Sequence, residues 1–191
     1  SVLLVAFVSI KASIASFTHD ESYSYLRFVG QSFFEIISYD TPYTNNHILN
    51  TLLMKCFDLL FGTSELALRA PNIFFLIVYL LFTFLLVRNL TFYISLVIFI
   101  TMCFSPYLLD FFGLARGYGI SIGLMIFSFF YLIHFFDSKK QRDLVLFNLG
   151  SFFAVLANFA LLSYWIAAII ALNLIVMIET RFSYKRITIK G

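Results

Sequence analysis

The sequence predicts an all-α, polytopic membrane bundle of about six transmembrane helices. Three observations carry this. Of the 191 residues, 61% are apolar and only 12% are charged, with a mean hydropathy of +0.94; soluble domains average about 45–50% apolar and about 25% charged. The apolar residues fall in long runs with few charges, which mark membrane spans. Lys and Arg collect in alternate loops, as they do on the cytoplasmic side of membrane proteins. This composition excludes a cytosolic globule and a disordered tail. A net charge of +3 also gives no basic face for nucleic acid.

Taken in order, the expected spans are Val2–Phe17, Asn72–Val87, Phe92–Leu109, Gly117–Phe136, Leu144–Leu156 and Phe159–Ile178. The first is short against the roughly 20 residues a span needs. It has no basic n-region before it and no small-x-small cleavage site after it, so it reads as a clipped first helix of a longer chain, not as a signal peptide. Pro71 introduces the second span and Pro106 lies near the end of the third. The fifth and sixth lie almost end to end, with a break expected near Asn158. Six crossings put eight Lys and Arg (Arg88, Lys139, Lys140, Arg142 and four after Ile178) on one side with three acids. The other side then holds four Lys and Arg with seven acids, which makes residues 18–71 the first extracytoplasmic loop of a single module spanning 1–191.

That loop carries amphipathic patterns over Ser22–Ser38 and His47–Phe61, expected to lie in the membrane interface. Gly62 should stop the second, and turn formers Asp40, Pro42, Asn45 and Asn46 separate the two. Cys56 and Cys103 both sit in apolar helical stretches and read as small core residues.

Two constellations can carry chemistry. His19-Asp20-Glu21 lies where the first span meets the outer surface. One carboxylate there can act as general base, or the pair with His19 can hold a divalent cation against a phosphate; the alternative is a capped helix start whose acids favour the N-terminal dipole. The second is Asp110 through Gly119, which includes Arg116 and Tyr118. A guanidinium at the mouth of span four binds phosphate oxygens bidentately, and Gly113, Gly117 and Gly119 allow close approach. The plainer readings are that Arg116 snorkels to headgroups or pairs with Asp110, and that Gly119 and Gly123 serve helix packing. His47 and Arg69 can also face an anionic lipid-linked substrate, whereas Lys55 and His134 read as interface residues. Asn158, Ser163, Tyr164 and Trp165 read as an outer aromatic belt. No Walker loop, GxSxG elbow, HExxH or CxxC is present.

The order of these features resembles the N-terminal half of a GT-C membrane glycosyltransferase. The likeness rests on Asp20-Glu21, Asn46-His47, the run Phe61-Gly62-Thr63-Ser64-Glu65-Leu66-Ala67-Leu68-Arg69-Ala70-Pro71, Ser105-Pro106 and Leu114-Ala115-Arg116-Gly117-Tyr118-Gly119. It is nearest the family 39-like enzymes, relatives of protein O-mannosyltransferases and lipid A aminoarabinose transferases. The resemblance implies a GT-C-type helical bundle in a bacterial inner membrane with an extracytoplasmic active site. It implies sugar transfer from a polyprenyl-phosphate carrier to a protein, lipid or glycan acceptor. Asp20, with Glu21 beside it, would be the catalytic acid pair, Arg116 would hold the carrier phosphate, and Arg69 would either join it there or serve the fold. His47, Asp110, His19 and Tyr118 are further candidates, and no cofactor is demanded, although a divalent cation is compatible. The chain departs from the family at His47-Ile48-Leu49-Asn50, where many members have His-Pro-Pro-Leu. It departs again at Gly113-Leu114-Ala115-Arg116, where many have Gln-Glu-Ala-Arg. The rival readings are a flippase of lipid-linked sugars, which predicts charges in mid-membrane, and a non-catalytic membrane subunit.

Overall fold

The computed structural model describes residues 2–41, 43 and 45–188, with side chains described as far as residue 178. Every regular element among these residues is helical: α1 (Val2–Ile14), α2 (His19–Ser24), a π-helical turn (Tyr25–Val29), α3 (Phe33–Ser38), α4 (Ile48–Phe61), α5 (Glu65–Val87), α6 (Phe92–Cys103), α7 (Pro106–Phe112), α8 (Tyr118–Ser138), α9 (Gln141–Ala157), a 3-10 turn (Phe159–Leu161) and α10 (Leu162–Thr188). Three helices are long and apolar enough to cross a membrane: Glu65–Val87, Tyr118–Ser138 and Phe159–Ile178. Two bent pairs, Val2–Ile14 with His19–Val29 and Phe92–Cys103 with Pro106–Phe112, raise the number to five if each is one span. The expected span Leu144–Leu156 lies in α9, whose 17 residues extend roughly 25 Å, short of a hydrocarbon core of about 30 Å.

Local chemistry explains most boundaries. Thr18 and Glu21 form a reciprocal capping box that starts α2, and Ser32 and Glu35 form another that starts α3. The single amphipathic helix expected over Ser22–Ser38 is therefore two short helices, separated at Gly30 and Gln31 because Ser32 nucleates afresh. The helix expected over His47–Phe61 does form, and Gly62 ends it at φ +77°. The second span begins earlier than Pro71 suggests: Ser64 Oγ accepts from the Ala67 amide, so α5 starts at Glu65 and Pro71 falls inside it. The third bends by 59° because Pro106 forces Ser105 out of helical geometry and Ser105 then caps α7.

The first span ends at Ile14, short of Phe17, because Arg69 takes over its last carbonyls. Nη1 donates to the Ala12 and Ala15 carbonyls at 2.7 and 2.6 Å. Nη2 donates to the Ser16 carbonyl at 3.1 Å and to Glu21 Oε2 at 2.8 Å, and Nε donates to Glu21 Oε1 at 2.8 Å. All five guanidinium donors are engaged. Each Glu21 oxygen accepts a second bond, Oε1 from the Ala115 amide at 2.8 Å and Oε2 from the Thr18 amide at 2.9 Å. Both side chains are fully buried, with the Phe17 ring 5.2 Å from the guanidinium. This clasp joins α1, α2, α5 and the α7–α8 loop at one end of the bundle.

Below the clasp, Leu4, Val8 and Ala12 of α1 pack with Leu76, Tyr79 and Leu80 of α5 and Phe112 of α7. Cys103 is buried here and Cys56 is half-buried, both as free thiols. Helices α5 and α8 run side by side, tied at their starts by Asn72 Oδ1, which accepts from the Ile120 amide at 3.2 Å. Gly119 and Gly123 face α5, the helix-packing role expected of them: a Cβ on Gly123 would lie 2.7 Å from the Phe75 carbonyl oxygen. α8 and α9 form a hairpin whose turn is held by Asp143, which takes His134 at 2.9 Å and Ser138. Tyr164 reaches Ser128 at 2.8 Å and Trp165 reaches Asn148 at 3.1 Å. Both half-buried rings thus satisfy polar groups of the bundle.

Gly123→Leu is expected to wedge α5 from α8 and lower thermal stability by about 1–3 kcal/mol or more. Gly30→Ala, where a Cβ meets nothing within 4 Å, should leave it nearly unchanged. Thermal unfolding in detergent measures both.

Candidate functional site

The capping box at Thr18 decides which of the two adjacent acids is available. Consecutive residues on a helix point about 100° apart. Glu21 turns inward to Arg69, so Asp20 turns toward solvent at the same end of the bundle. There Asp20 Oδ2 lies 2.9 Å from Arg116 Nη2, and Oδ1 accepts from Asn45 Nδ2 at 3.2 Å. His19 Nδ1 stands 3.6 Å from the same oxygen, with its ring almost wholly in solvent. The Asp20 and Arg116 side chains are 37% and 25% exposed, so the pair is open to a ligand.

Arg116 belongs to the loop from α7 to α8. Its neighbour Ala115 is pinned through its amide to Glu21 and through its carbonyl to Asn50 Nδ2 at 3.0 Å. Gly117 follows at φ +77°, and a Cβ there would lie 2.5 Å from the Ala157 carbonyl oxygen. Only glycine suits both the dihedral and the contact. The turn sets the Arg116 guanidinium 5.1 Å from the Tyr118 ring centre, within cation–π range. His47, the residue before α4, meets Tyr118 in a T-shaped contact with ring centres 5.6 Å apart.

The His47 ring is buried, and its Nδ1 has no hydrogen-bond partner. Burial pushes its pKa down to about 4, and the charge on Arg116 adds to the shift. At neutral pH it is an uncharged imidazole beside an Asp–Arg pair. Glu21 shows the opposite balance: burial pushes its carboxyl up, but the bonds from Arg69, Ala115 and Thr18 outweigh this and hold it below the ordinary value.

The structure therefore brings Asp20, Arg116, Tyr118 and His47 together, with His19 at the rim. Three expectations are corrected. Glu21 has no lone pair left for a substrate proton, and Arg69 has no donor left for a phosphate; both are spent on the fold. Asp110 also lies apart from the site, for it pairs with Lys11 of α1 at 2.5 Å, not with Arg116. Lys55 closes the π-helical turn by donating to the Val29 and Gln31 carbonyls, each at 2.8 Å. Among the described residues no group of three His, Cys, Asp or Glu side chains is placed to hold a metal ion.

Sequence reasoning did not single out Asn50 and Asn72, which bond one another at 3.2 Å behind the site, or Asn45 as a partner of Asp20. A signal for the first two exists: an amide inside an apolar helix must find partners. An apolar groove of about 510 Å³ runs between α4, α5, α8 and α9, lined by Leu49, Leu53, Pro71, Phe75 and Phe153 among others. In comparisons with known proteins, no family model, no curated protein and no solved structure matches the chain.

Because the unfolded chain protonates His47 near pH 6.5 and the folded chain only near 4, folding stability is fully present above 6.5. It is lost as pH falls between those values, by up to about 1.4 kcal/mol per pH unit. His47→Gln should therefore show a shallower fall in Tm from pH 6.5 to 4.5 than the wild type. Equal slopes would contradict the buried neutral ring.

Proposed function

We propose that this chain is a membrane glycosyltransferase module that moves a sugar from a polyprenyl-phosphate carrier to a protein, lipid or glycan hydroxyl or amine. The observation that carries the reading is the Asp20–Arg116 pair: an accessible carboxylate and an accessible guanidinium 2.9 Å apart, on a frame held rigid behind them. Transfer from a phosphate carrier needs these two groups. The guanidinium takes the phosphate oxygens, which loosens its hold on Asp20. The freed carboxylate accepts the proton of the acceptor as its oxygen or nitrogen attacks the anomeric carbon from the opposite face. The bond from that carbon to the phosphate oxygen breaks, and polyprenyl phosphate departs with the electron pair, its charge stabilised by Arg116. A phosphate leaving group needs no proton, so a single carboxylate suffices once Glu21 is committed elsewhere.

Other features support the same reading. The apolar groove lined by Leu49 and Pro71, each two residues along the chain from His47 and Arg69, suits an isoprenoid tail. Tyr118, half-buried beside Arg116 and backed by the His47 ring, suits contact with a sugar. Six crossings would put the site outside the membrane and Arg88, Lys139, Lys140 and Arg142 inside, as the positive-inside rule favours. The membrane expected from the family resemblance is a bacterial inner membrane. A flippase is less well supported, because Lys11, the charge within the first span, is neutralised by Asp110 at the site end of the bundle.

The test is sugar transfer from a labelled polyprenyl-phosphate donor in membranes carrying the protein at equal levels. Asp20→Asn should lower kcat by on the order of 10²–10⁴-fold. Arg116→Ala should raise the donor KM and lower kcat, by on the order of 10²-fold in kcat/KM. Undiminished transfer by Asp20→Asn would overturn the reading.

A further inference from the structure

We infer that Asn45 is a positioning residue for Asp20, the contact that aims its carboxylate once Arg116 has gone to the substrate phosphate. The inference rests on the glycosyltransferase reading above. In the resting protein the Asp20 carboxylate is held at both ends, Oδ2 by Arg116 at 2.9 Å and Oδ1 by Asn45 Nδ2 at 3.2 Å. A carboxylate only accepts, so it is the amide nitrogen of Asn45 that must face it. A phosphate that draws Arg116 away releases Oδ2 but leaves Oδ1 in place. The free oxygen then keeps a defined direction toward the acceptor in place of swinging about the side-chain axis. Near-attack geometry of this kind governs rate more than binding.

Asn45 is itself anchored. Its carbonyl accepts from Ser24 Oγ at 3.4 Å, on the same helix that carries Asp20. The next residue, Asn46, is buried, with Nδ2 donating to the Thr41 carbonyl at 3.1 Å and Oδ1 accepting from Thr51 Oγ1 at 3.4 Å. The loop therefore holds the Asn45 amide against α2 without help from Arg116.

The alternative is that Asn45 only forms the turn before α4. The two roles predict opposite rankings. Asp forms such turns as well as Asn does, and Ala forms them poorly. Asp cannot donate to Asp20 and repels it, whereas Ala merely removes the bond. Asn45→Asp and Asn45→Ala are compared with the wild type in the transfer assay, with kcat, donor KM and Tm measured on each. A positioning role predicts a lower kcat for Asn45→Asp than for Asn45→Ala, by on the order of 10–100-fold below wild type for the former. Donor KM should stay within about twofold and Tm should hold for Asn45→Asp. Equal or higher kcat for Asn45→Asp than for Asn45→Ala overturns the inference, as does a loss that comes through Tm or donor KM. Active wild type with either of those results leaves the glycosyltransferase reading standing. A wild type that transfers no sugar overturns that reading, and the role of Asn45 falls with it.

Discussion

The bidentate ion pair between Glu21 and Arg69 is the constraint on which the rest of the structure depends. A charge buried this deeply persists only if every donor and acceptor is satisfied. Here the cost is offset by seven groups acting together: the guanidinium, the carboxylate, the Ala12, Ala15 and Ser16 carbonyls, and the Thr18 and Ala115 amides. The Ala12 and Ala15 carbonyls belong to the turn that any helix leaves unpaired at its C-terminus, Ser16 follows directly, and a cation there also suits the helix dipole. One interaction thus ends α1, begins α2, fixes the first turn of α5 and pins the loop ahead of α8. Removing either partner would strand the other in an apolar interior, at about 3–5 kcal/mol.

The site inherits its precision from that clasp. Asp20 is next to Glu21 in sequence, and Arg116 is next to Ala115, whose amide Glu21 holds. The two accessible groups therefore meet because the two residues behind them are locked. Gly117 and the Asn50–Asn72 pair complete the frame, the first by admitting the Ala157 carbonyl and the second by tying α4 to α5 and α8. The proposed chemistry would fall to Asp20 and Arg116, the partly exposed pair in front of that frame.

The sequence made the helical class legible because composition and run length do not depend on tertiary detail. Gly62 as a stop, the break near Asn158 and the Gly119–Gly123 packing face were legible too, since each follows from local stereochemistry. The break at Gly30 was hidden by a continuous amphipathic pattern, although the Ser32–Glu35 capping box was there to be read. The start of α5 was misplaced because Pro71 is a louder signal than Ser64. The division of labour between Asp20 and Glu21 was beyond reach. It depends on Arg69, 48 residues away, and on which face of α2 that guanidinium meets. Asp110 was misjudged for the same reason, its partner Lys11 lying 99 residues away. Asn45 passed as a turn former because its backbone role is visible in sequence and its side-chain role is not.

The central claim is that two adjacent carboxylates have separate tasks, one for the fold and one for chemistry. Thermal unfolding of Glu21→Gln and Asp20→Asn in detergent tests it most directly, since each change removes one charge and leaves the shape. The amide at position 21 places donors against the Arg69 guanidinium and the backbone amides, so Glu21→Gln should lose several kcal/mol and its Tm should fall steeply. Asp20→Asn breaks only a partly exposed pair and should hold its Tm within a few degrees. Equal losses in the two variants, or a larger loss in Asp20→Asn, would contradict the account.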